Sequence, residues 1–354
     1  MEDPRIELFG LARDELSAIL QSDFAQTKYR ADQIISWVYR HGARDFSVMS
    51  NVAKAARDLL SESFALTMPR IVSTQESKDG SCKYLLELSD GARVESVLIK
   101  QESRYTLCIS SQVGCAMGCT FCMTAQMGFG RNLGTHEIIG QVLAVNDAAF
   151  GSNTSLDEQP RLRNVVFMGM GEPLHNLSSV LKALKILNDP LGFEFGSRKI
   201  TVSTSGMVPE IKKFADARPP ARLAVSLNAT TDEVRTSIMP INKRWNIDAL
   251  MESLRYYSRV TDQEVTIEYV LLAGVNDSQA DLKRLPKLLK NMQVKVNLIP
   301  YNANTGLGYT SSKRDLVERW QRDLNSQGVN TRIRWSKGED IGAACGQLAV
   351  GSGK

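Results

Sequence analysis

Apolar residues near the start of the chain recur at helical spacing. Leu8, Leu11, Leu16, Ile19 and Leu20 form one such set, and Ile34, Ile35, Trp37 and Val38 another. Recurrence at steps of three and four places one helix face against a core, so residues 1–70 are expected as a small helical N-terminal domain. The pattern changes after Met68. Lys83-Tyr-Leu-Leu-Glu-Leu and Val94-Glu-Ser-Val-Leu-Ile flank Ser89-Asp-Gly, a strand–turn–strand signature. Residues 71–104 are therefore expected as a β-hairpin linker. From about residue 105, strand-length apolar runs alternate with helical stretches. Strands are expected at Leu107–Ser111, Asn164–Met168, Lys199–Ser203, Arg222–Leu227, Val265–Leu271 and Val294–Ile299, with a short one at Thr331–Trp335. Helices are expected at 135–150, 177–188, 208–216, 247–259, 278–291 and 312–327. Residues 151–160 read as a polar, exposed insertion. Successive βα units require a parallel sheet with right-handed crossovers, either an open barrel or a doubly wound sheet. Ligands in such α/β folds bind at the carboxyl ends of the strands.

With 354 residues, 43% hydrophobic and 23% charged, the chain has room for one large core and an accessory domain. No apolar run approaches the roughly 18 residues of a membrane span, and the opening Met-Glu-Asp-Pro is unlike a secretory signal. A cytoplasmic location and no membrane partner are expected. The net charge of +4 suits a polyanionic partner without requiring one. Six cysteines in a chain of this kind point to metal binding or catalysis rather than structural disulfides.

Three of the six fall in Cys115-Ala-Met-Gly-Cys119-Thr-Phe-Cys122, directly after the first core strand. A [4Fe–4S] cubane usually takes four cysteines. Three ligands leave one iron open for a chelating substrate, and the amino and carboxylate groups of S-adenosylmethionine (SAM) fit that vacancy. Gly114 and Gly118 allow the loop to wrap tightly. The rival reading is a structural zinc site, which commonly shows two CxxC pairs; no second pair is present, and the chain has three histidines. Met168-Gly-Met-Gly171-Glu172-Pro follows the second core strand. Glycines there admit a ligand, and a carboxylate suits an ammonium group. Ser203, Ser226-Leu227-Asn228 and Tyr301-Asn302 end later strands. Gly171, Glu172, Ser203, Ser226, Leu227, Asn228 and Asn302 are thus the expected SAM contacts, although singly such residues are more often turn formers.

The dispersed motifs carry a resemblance. Arg93-Val-Glu95-Ser-Val, Cys108-Ile-Ser-Ser-Gln-Val-Gly-Cys115, Gly128-Phe-Gly-Arg-Asn-Leu, Met168-Gly-Met-Gly-Glu-Pro, Pro240-Ile-Asn-Lys, Val296-Asn-Leu-Ile-Pro-Tyr-Asn and Asp340-Ile-Gly-Ala-Ala-Cys345-Gly-Gln-Leu resemble the RlmN/Cfr family of radical SAM RNA adenine methyltransferases over nearly the whole chain. The resemblance implies an α/β fold, a partial (β/α)6 barrel with a small helical N-terminal domain. The expected division is 1–70, 71–104 with Glu95, a core at 105–340, and a catalytic segment at 341–354 with Cys345. It implies that Cys345 is methylated and then joined to the base, that Glu95 removes the ring proton, and that Cys108 resolves the adduct through a transient Cys108–Cys345 disulfide. Gly171-Glu-Pro and Gln112-Val-Gly look more like the carbon-2 branch than the carbon-8, resistance-type branch, which stays as the alternative, as does a radical SAM enzyme acting on a protein. Where the family often has His after Ser-Leu, this chain has Asn228. The implied partners are 23S ribosomal RNA, transfer RNA and an external electron donor such as flavodoxin, acting on a monomer. Lys28-Tyr-Arg30, Trp37, Arg131 and Arg244 are the candidate RNA contacts. Cys82 has no partner motif.

Overall fold

The computed structural model describes residues 3–102, 104–151, 162–304 and 306–350. The insertion expected at 151–160 lies, apart from Gly151, outside the described residues.

One ten-stranded mixed sheet organises the chain. Its strands are β1 (Arg70–Glu76), β2 (Cys82–Glu87), β3 (Arg93–Gln101), β4 (Arg104–Cys108), β5 (Leu162–Phe167), β6 (Ile200–Thr204), β7 (Arg222–Ser226), β8 (Val265–Leu271), β9 (Val294–Pro300) and β10 (Thr331–Ile333). From β4 to β10 each neighbour pairs in parallel. β1 to β4 are antiparallel, so the hairpin is not a free linker: it extends the core sheet. The sheet curls. Ile99 on β3 and Arg334 beyond β10 line the same cavity, and the edges are bridged by Gly338 N–H donating to Asp79 (2.9 Å) and Ser77 donating to Asp340. The result is the expected open α/β barrel, with one more parallel strand than six.

Two local differences have plain causes. The strand expected at Leu107–Ser111 runs Arg104–Cys108, because Ser110 turns aside: its hydroxyl donates to Glu95 O (2.7 Å) and its N–H to Gln141 Oε1 (2.9 Å). β1 gave no sequence signal because it is an edge strand whose Ser73 to Glu76 are all exposed, so no apolar alternation marks it.

Helices cover the outer face at nearly the expected ranges, among them α1 (Thr135–Phe150), α2 (Leu177–Asn188), α4 (Ile247–Thr261) and α5 (Arg314–Ser326), and α3 (Asp232–Ile238) is a short helix that the apolar pattern did not announce. Their ends follow from capping chemistry. Asn246 accepts from Ala249 N–H (3.0 Å), and Glu137 reaches back to Gly134 N–H (2.7 Å). α5 buries Val317, Trp320 and Leu324 completely, about 1.5–3 kcal/mol for each. Residues 6–66 form the helical domain, closed by a short parallel pairing of Ile6–Glu7 with Phe64–Ala65. It docks through a bidentate Arg44–Asp147 pair (both contacts 2.8 Å), Arg13–Asp189 (2.9 Å) and Tyr39 against Phe193.

Candidate active site

Gln112–Gly114 pairs with Phe129–Asn132, and the loop between them carries Cys115, Cys119 and Cys122. Gly114 has φ +71, and a Cβ there would fall 1.9 Å from Gly128 O, so only glycine lets these segments cross. The three thiols face one cavity at the carboxyl ends of the barrel strands. Burial raises Cys115 to about 12 and Cys119 further, and neighbouring thiols add to both shifts. Such thiols become thiolates only when a multivalent cation sits among them. Among the described residues no three His, Cys, Asp or Glu side chains gather tightly enough for one metal ion. A tetrahedral zinc site needs sulfurs about 3.8 Å apart, given its roughly 2.3 Å bonds. Thiols ringing a common cavity instead fit a cluster held at its corners.

Arg235 on α3 stands behind this loop, fully buried. Its guanidinium donates to the carbonyls of Ser205 (2.6 Å), Ser226 (3.1 Å) and Leu227 (3.1 Å) and to Asn242 Oδ1 (3.0 Å). Burial lowers its pKa to about 10, and Cys119 acts against that fall. It ties the ends of β6 and β7 together while presenting positive charge toward Cys119.

The rest of the cavity wall is the expected strand-end set. Gly171, Glu172, Ser203, Ser226, Asn228 and Asn302 line it, and Thr204, Ser205 and Glu268 join them. Gly171 has φ +98 and lies against Gln112, which a Cβ would meet at 2.5 Å. Glu172 is already engaged: Oε2 accepts from Ser205 N–H and Oγ (both 2.7 Å), and Oε1 from Leu174 N–H (3.0 Å). A carboxylate has about four lone-pair sites, so three are filled and the side chain clamps β5 to β6. Asn228 adopts φ +54, which Asn tolerates better than most residues; its Oδ1 accepts from Val270 N–H (2.8 Å). Leu227 differs from expectation. Its side chain is fully buried and absent from the cavity wall, and it contributes through its backbone, N–H to Glu268 O (3.0 Å) and C=O to Arg235.

Cys345 enters the same cavity from the far end of the chain. Its segment is strapped on three sides. Asn302 donates to Cys345 O (3.1 Å), Met123 N–H to Gly346 O (2.8 Å), Thr124 Oγ1 to Leu348 O (2.6 Å) and Ala349 N–H to Glu95 Oε2 (2.9 Å). The thiol is accessible although it lies inside the molecule, because its surface faces internal space. Burial raises it to about 11, with Glu268 adding to the rise. Cys108, at the end of β4, lines the adjoining cavity with Cys345 and is raised by burial and then by Cys345.

Glu95 on β3 is 4% exposed. Lys83 Nζ, on the neighbouring β2, lies 3.2 Å from Glu95 Oε1 and donates to Gly342 O (3.3 Å). Burial raises the Glu95 carboxyl while Lys83 opposes that rise. Lys83 and Arg235 gave no sequence signal. A lysine in an alternating strand reads as solvent-facing, and an arginine in a short helix as a surface charge.

The candidate RNA contacts divide. Tyr29 is 64% exposed beside Lys28 and Arg30, and Arg244 packs over Trp245. Trp37 donates to Asn51 Oδ1 (2.6 Å). Arg131 is held by Asp90 (2.8 Å) and Glu137 (2.7 Å), so it fastens the hairpin turn to α1.

Residues 109–285 match the radical SAM superfamily, and residues 6–66 match the ribosomal RNA large subunit methyltransferase N-terminal domain. The chain is 47% identical over 323 residues to the dual-specificity RNA methyltransferase RlmN of Desulfosudis oleivorans, covering 91% of this chain and 85% of that one. The chain belongs to the RlmN family. The RlmN of Geotalea uraniireducens is 45% identical over 344 residues, covering 97% and 96% of the two chains. A crystal structure of a radical SAM methyltransferase from Sphaerobacter thermophilus superposes with a TM-score of 0.89 at 39% identity, covering 97% and 99%. RlmN proteins are radical SAM RNA methyltransferases, and membership brings a [4Fe–4S] cluster and SAM as cofactors. Among the described residues no helix is long and apolar enough to cross a membrane.

Proposed function

We propose that this chain methylates carbon-2 of an adenine in 23S ribosomal RNA and of an adenine in transfer RNA, using Cys345, Cys108 and Glu95. The observation that carries the reading is the position of Cys345: it shares one cavity with Cys115, Cys119 and Cys122 and another with Cys108. Cys115, Cys119 and Cys122 would hold the cluster, and the strand-end set Gly171, Glu172, Ser203, Ser226, Asn228 and Asn302 would hold SAM. When bound, these groups supply a transferable methyl and a carbon-centred radical. Carbon-2 lies between two ring nitrogens and is too electron-poor to attack a methyl group itself. The carbon therefore travels on the Cys345 sulfur and is joined to the base from there. Glu95, ionised, removes the ring proton. The electron left over from the radical addition would return to the bound cluster. Cys108, as its thiolate, then attacks the Cys345 sulfur: the sulfur–carbon bond breaks, the freed carbon takes up a proton to become the methyl group of the base, and a Cys108–Cys345 disulfide remains.

The N-terminal helices, with Lys28, Tyr29 and Arg30 at the surface, present the RNA-docking face, since exposed aromatics stack on unpaired bases and cations hold phosphate. The enzyme works in the cytoplasm as a monomer and draws electrons from a flavodoxin-type donor. The test is anaerobic incubation of cluster-loaded protein with SAM, followed by mass spectrometry of the Cys345 peptide. One added methyl, missing in Cys345→Ala, supports the reading. An unmodified Cys345 in protein that carries its cluster and binds SAM refutes it.

A further inference from the structure

The curled sheet encloses a second cavity beside the cluster chamber, of about 360 Å³, within the roughly 300–1,000 Å³ of small-molecule sites. Cys345 and Glu268 line both spaces and so stand at the partition, and Cys108 joins them on this side. A closed barrel is normally plugged by layers of branched apolar side chains. Here the wall includes Thr106, Asn164, Thr201 and Thr266 alongside the apolar Val166 and Ile299, so small polar groups replace part of the usual apolar filling and leave a passage.

The passage is basic. Arg198, Lys199, Arg222, Lys295, Arg334 and Lys337 line it, and Glu268 at the partition is the single carboxylate among its described lining residues. Lys295 pairs with Glu264 (3.4 Å), Arg334 donates to Asn297 Oδ1 (3.2 Å), and Lys337 acts on Asp79. Among the described residues the side chains of Arg198, Lys199 and Arg222 have no ion pair or hydrogen bond. Arg198 and Lys199 are exposed and Arg222 is half-buried, so the charge is available to a solute. Cations lining a low-dielectric opening focus their field and concentrate anions.

The proposed reaction ends each turnover with Cys108 joined to Cys345, and this inference rests on that reading. The bond must be reduced before another cycle. The cluster and SAM, when bound, would occupy the chamber on one side, while the passage reaches both sulfurs from the other. We propose that the basic passage is a binding site for a small anionic thiol that reduces the Cys108–Cys345 disulfide. Its carboxylates pair with Lys199 and Arg222 while its thiolate attacks one protein sulfur. That attack forms a mixed disulfide and releases the other cysteine as a thiolate, which takes a proton. A second thiolate of the same kind attacks the mixed disulfide, freeing the remaining cysteine, which is also protonated. The protein gains two electrons and two protons, and two thiols leave as one disulfide.

The test uses full-length, cluster-loaded enzyme after one turnover on RNA with SAM and no added thiol, when the Cys108–Cys345 peptide is sought by mass spectrometry. Glutathione, neutral 2-mercaptoethanol and cationic cysteamine are then compared at low ionic strength, as reduction rates per thiolate. Glutathione should lead cysteamine by about tenfold, in the range of electrostatic steering, and the lead should shrink in high salt. Lys199→Glu with Arg222→Glu should abolish the lead and leave the 2-mercaptoethanol rate unchanged. Equal rates for the three thiols, equal slowing of all three in the variant, or reduction by a protein dithiol alone each overturns the proposal. Absence of the disulfide peptide overturns the resolving role of Cys108 itself, and the passage proposal with it.

Discussion

Replacing Lys83 by methionine removes one ammonium group, keeps nearly the same side-chain length, and tests how Glu95 is held ready as a base. The pair is 3.2 Å apart with only 14% and 5% of the two side chains exposed. Two unit charges at that distance interact by about 5 kcal/mol at an effective dielectric of about 20. Water and side-chain relaxation reduce this, and an opposite charge so close typically depresses a carboxyl by about 1–3 pKa units, or about 1.4–4 kcal/mol. Burial already lifts Glu95 above its ordinary 4.5, and Lys83 is the largest opposing influence. Without it the carboxyl rises further. Glu95 accepts a proton only when ionised, so the acid limb of the rate profile should move upward by about 1–3 pH units. Below both limbs the variant should be about tenfold to a thousandfold slower, and well above the new limb the two enzymes should converge. Lys83→Arg keeps the charge and should keep the limb. The assay is single-turnover formation of methylated RNA against pH, with Cys345 methylation measured alongside. An unmoved limb in Lys83→Met, or a loss uniform across pH, would refute this account; the latter would assign Lys83 to its Gly342 contact alone.

Three further outcomes are expected. Cys108→Ala should accumulate protein covalently attached to RNA through Cys345, visible as a slow band on denaturing gels, and normal turnover would exclude the resolving role. Glu268 is raised by burial from 4.5 to about 7, with Asn297, Arg334 and Lys295 limiting the rise. A carboxyl raised by folding contributes stability below about 4.5 that is lost as pH climbs through about 7, on the order of 3 kcal/mol at 1.36 kcal/mol per pKa unit. Glu268→Gln should therefore flatten the urea midpoint between those values and stabilise the fold near pH 8. Arg235→Met should leave buried carbonyls of Ser205, Ser226 and Leu227 without their donor, costing roughly 3 kcal/mol or more, and equilibrium dialysis should show weaker SAM binding.

The sequence made much of this visible for physical reasons. Buried parallel strands need unbroken apolar runs, so β5 to β9 stood out, and Asp90-Gly91 marked the hairpin turn. The cysteine spacing singled out one loop, and its three thiols do face one cavity. Strand ends in an α/β fold converge, which is why Ser203, Ser226 and Asn302 share one wall. What escaped depended on pairing across the chain. Lys83 meets Glu95 only once β2 and β3 are in register, and Arg235 matters because three carbonyls from distant strand ends meet it. Leu227 sat inside the right motif, yet its role passes through its backbone. Arg131 looked free for phosphate, but two carboxylates hold it.

The hairpin also carries a rule of inheritance. Glu95 faces the barrel interior because it lies two residues from Val97, the partner of Cys108 across the sheet. Strand side chains alternate faces, so one residue gained or lost within β3 would turn the carboxylate to the outside and replace it with a neighbour. A gain of two would restore the face but carry the group about 7 Å along the strand. A point substitution elsewhere in β3 leaves Glu95 facing inward where a single-codon insertion does not, and variation in length among descendants of this gene should collect in the turn at Ser89–Gly91 rather than in the strands beside it.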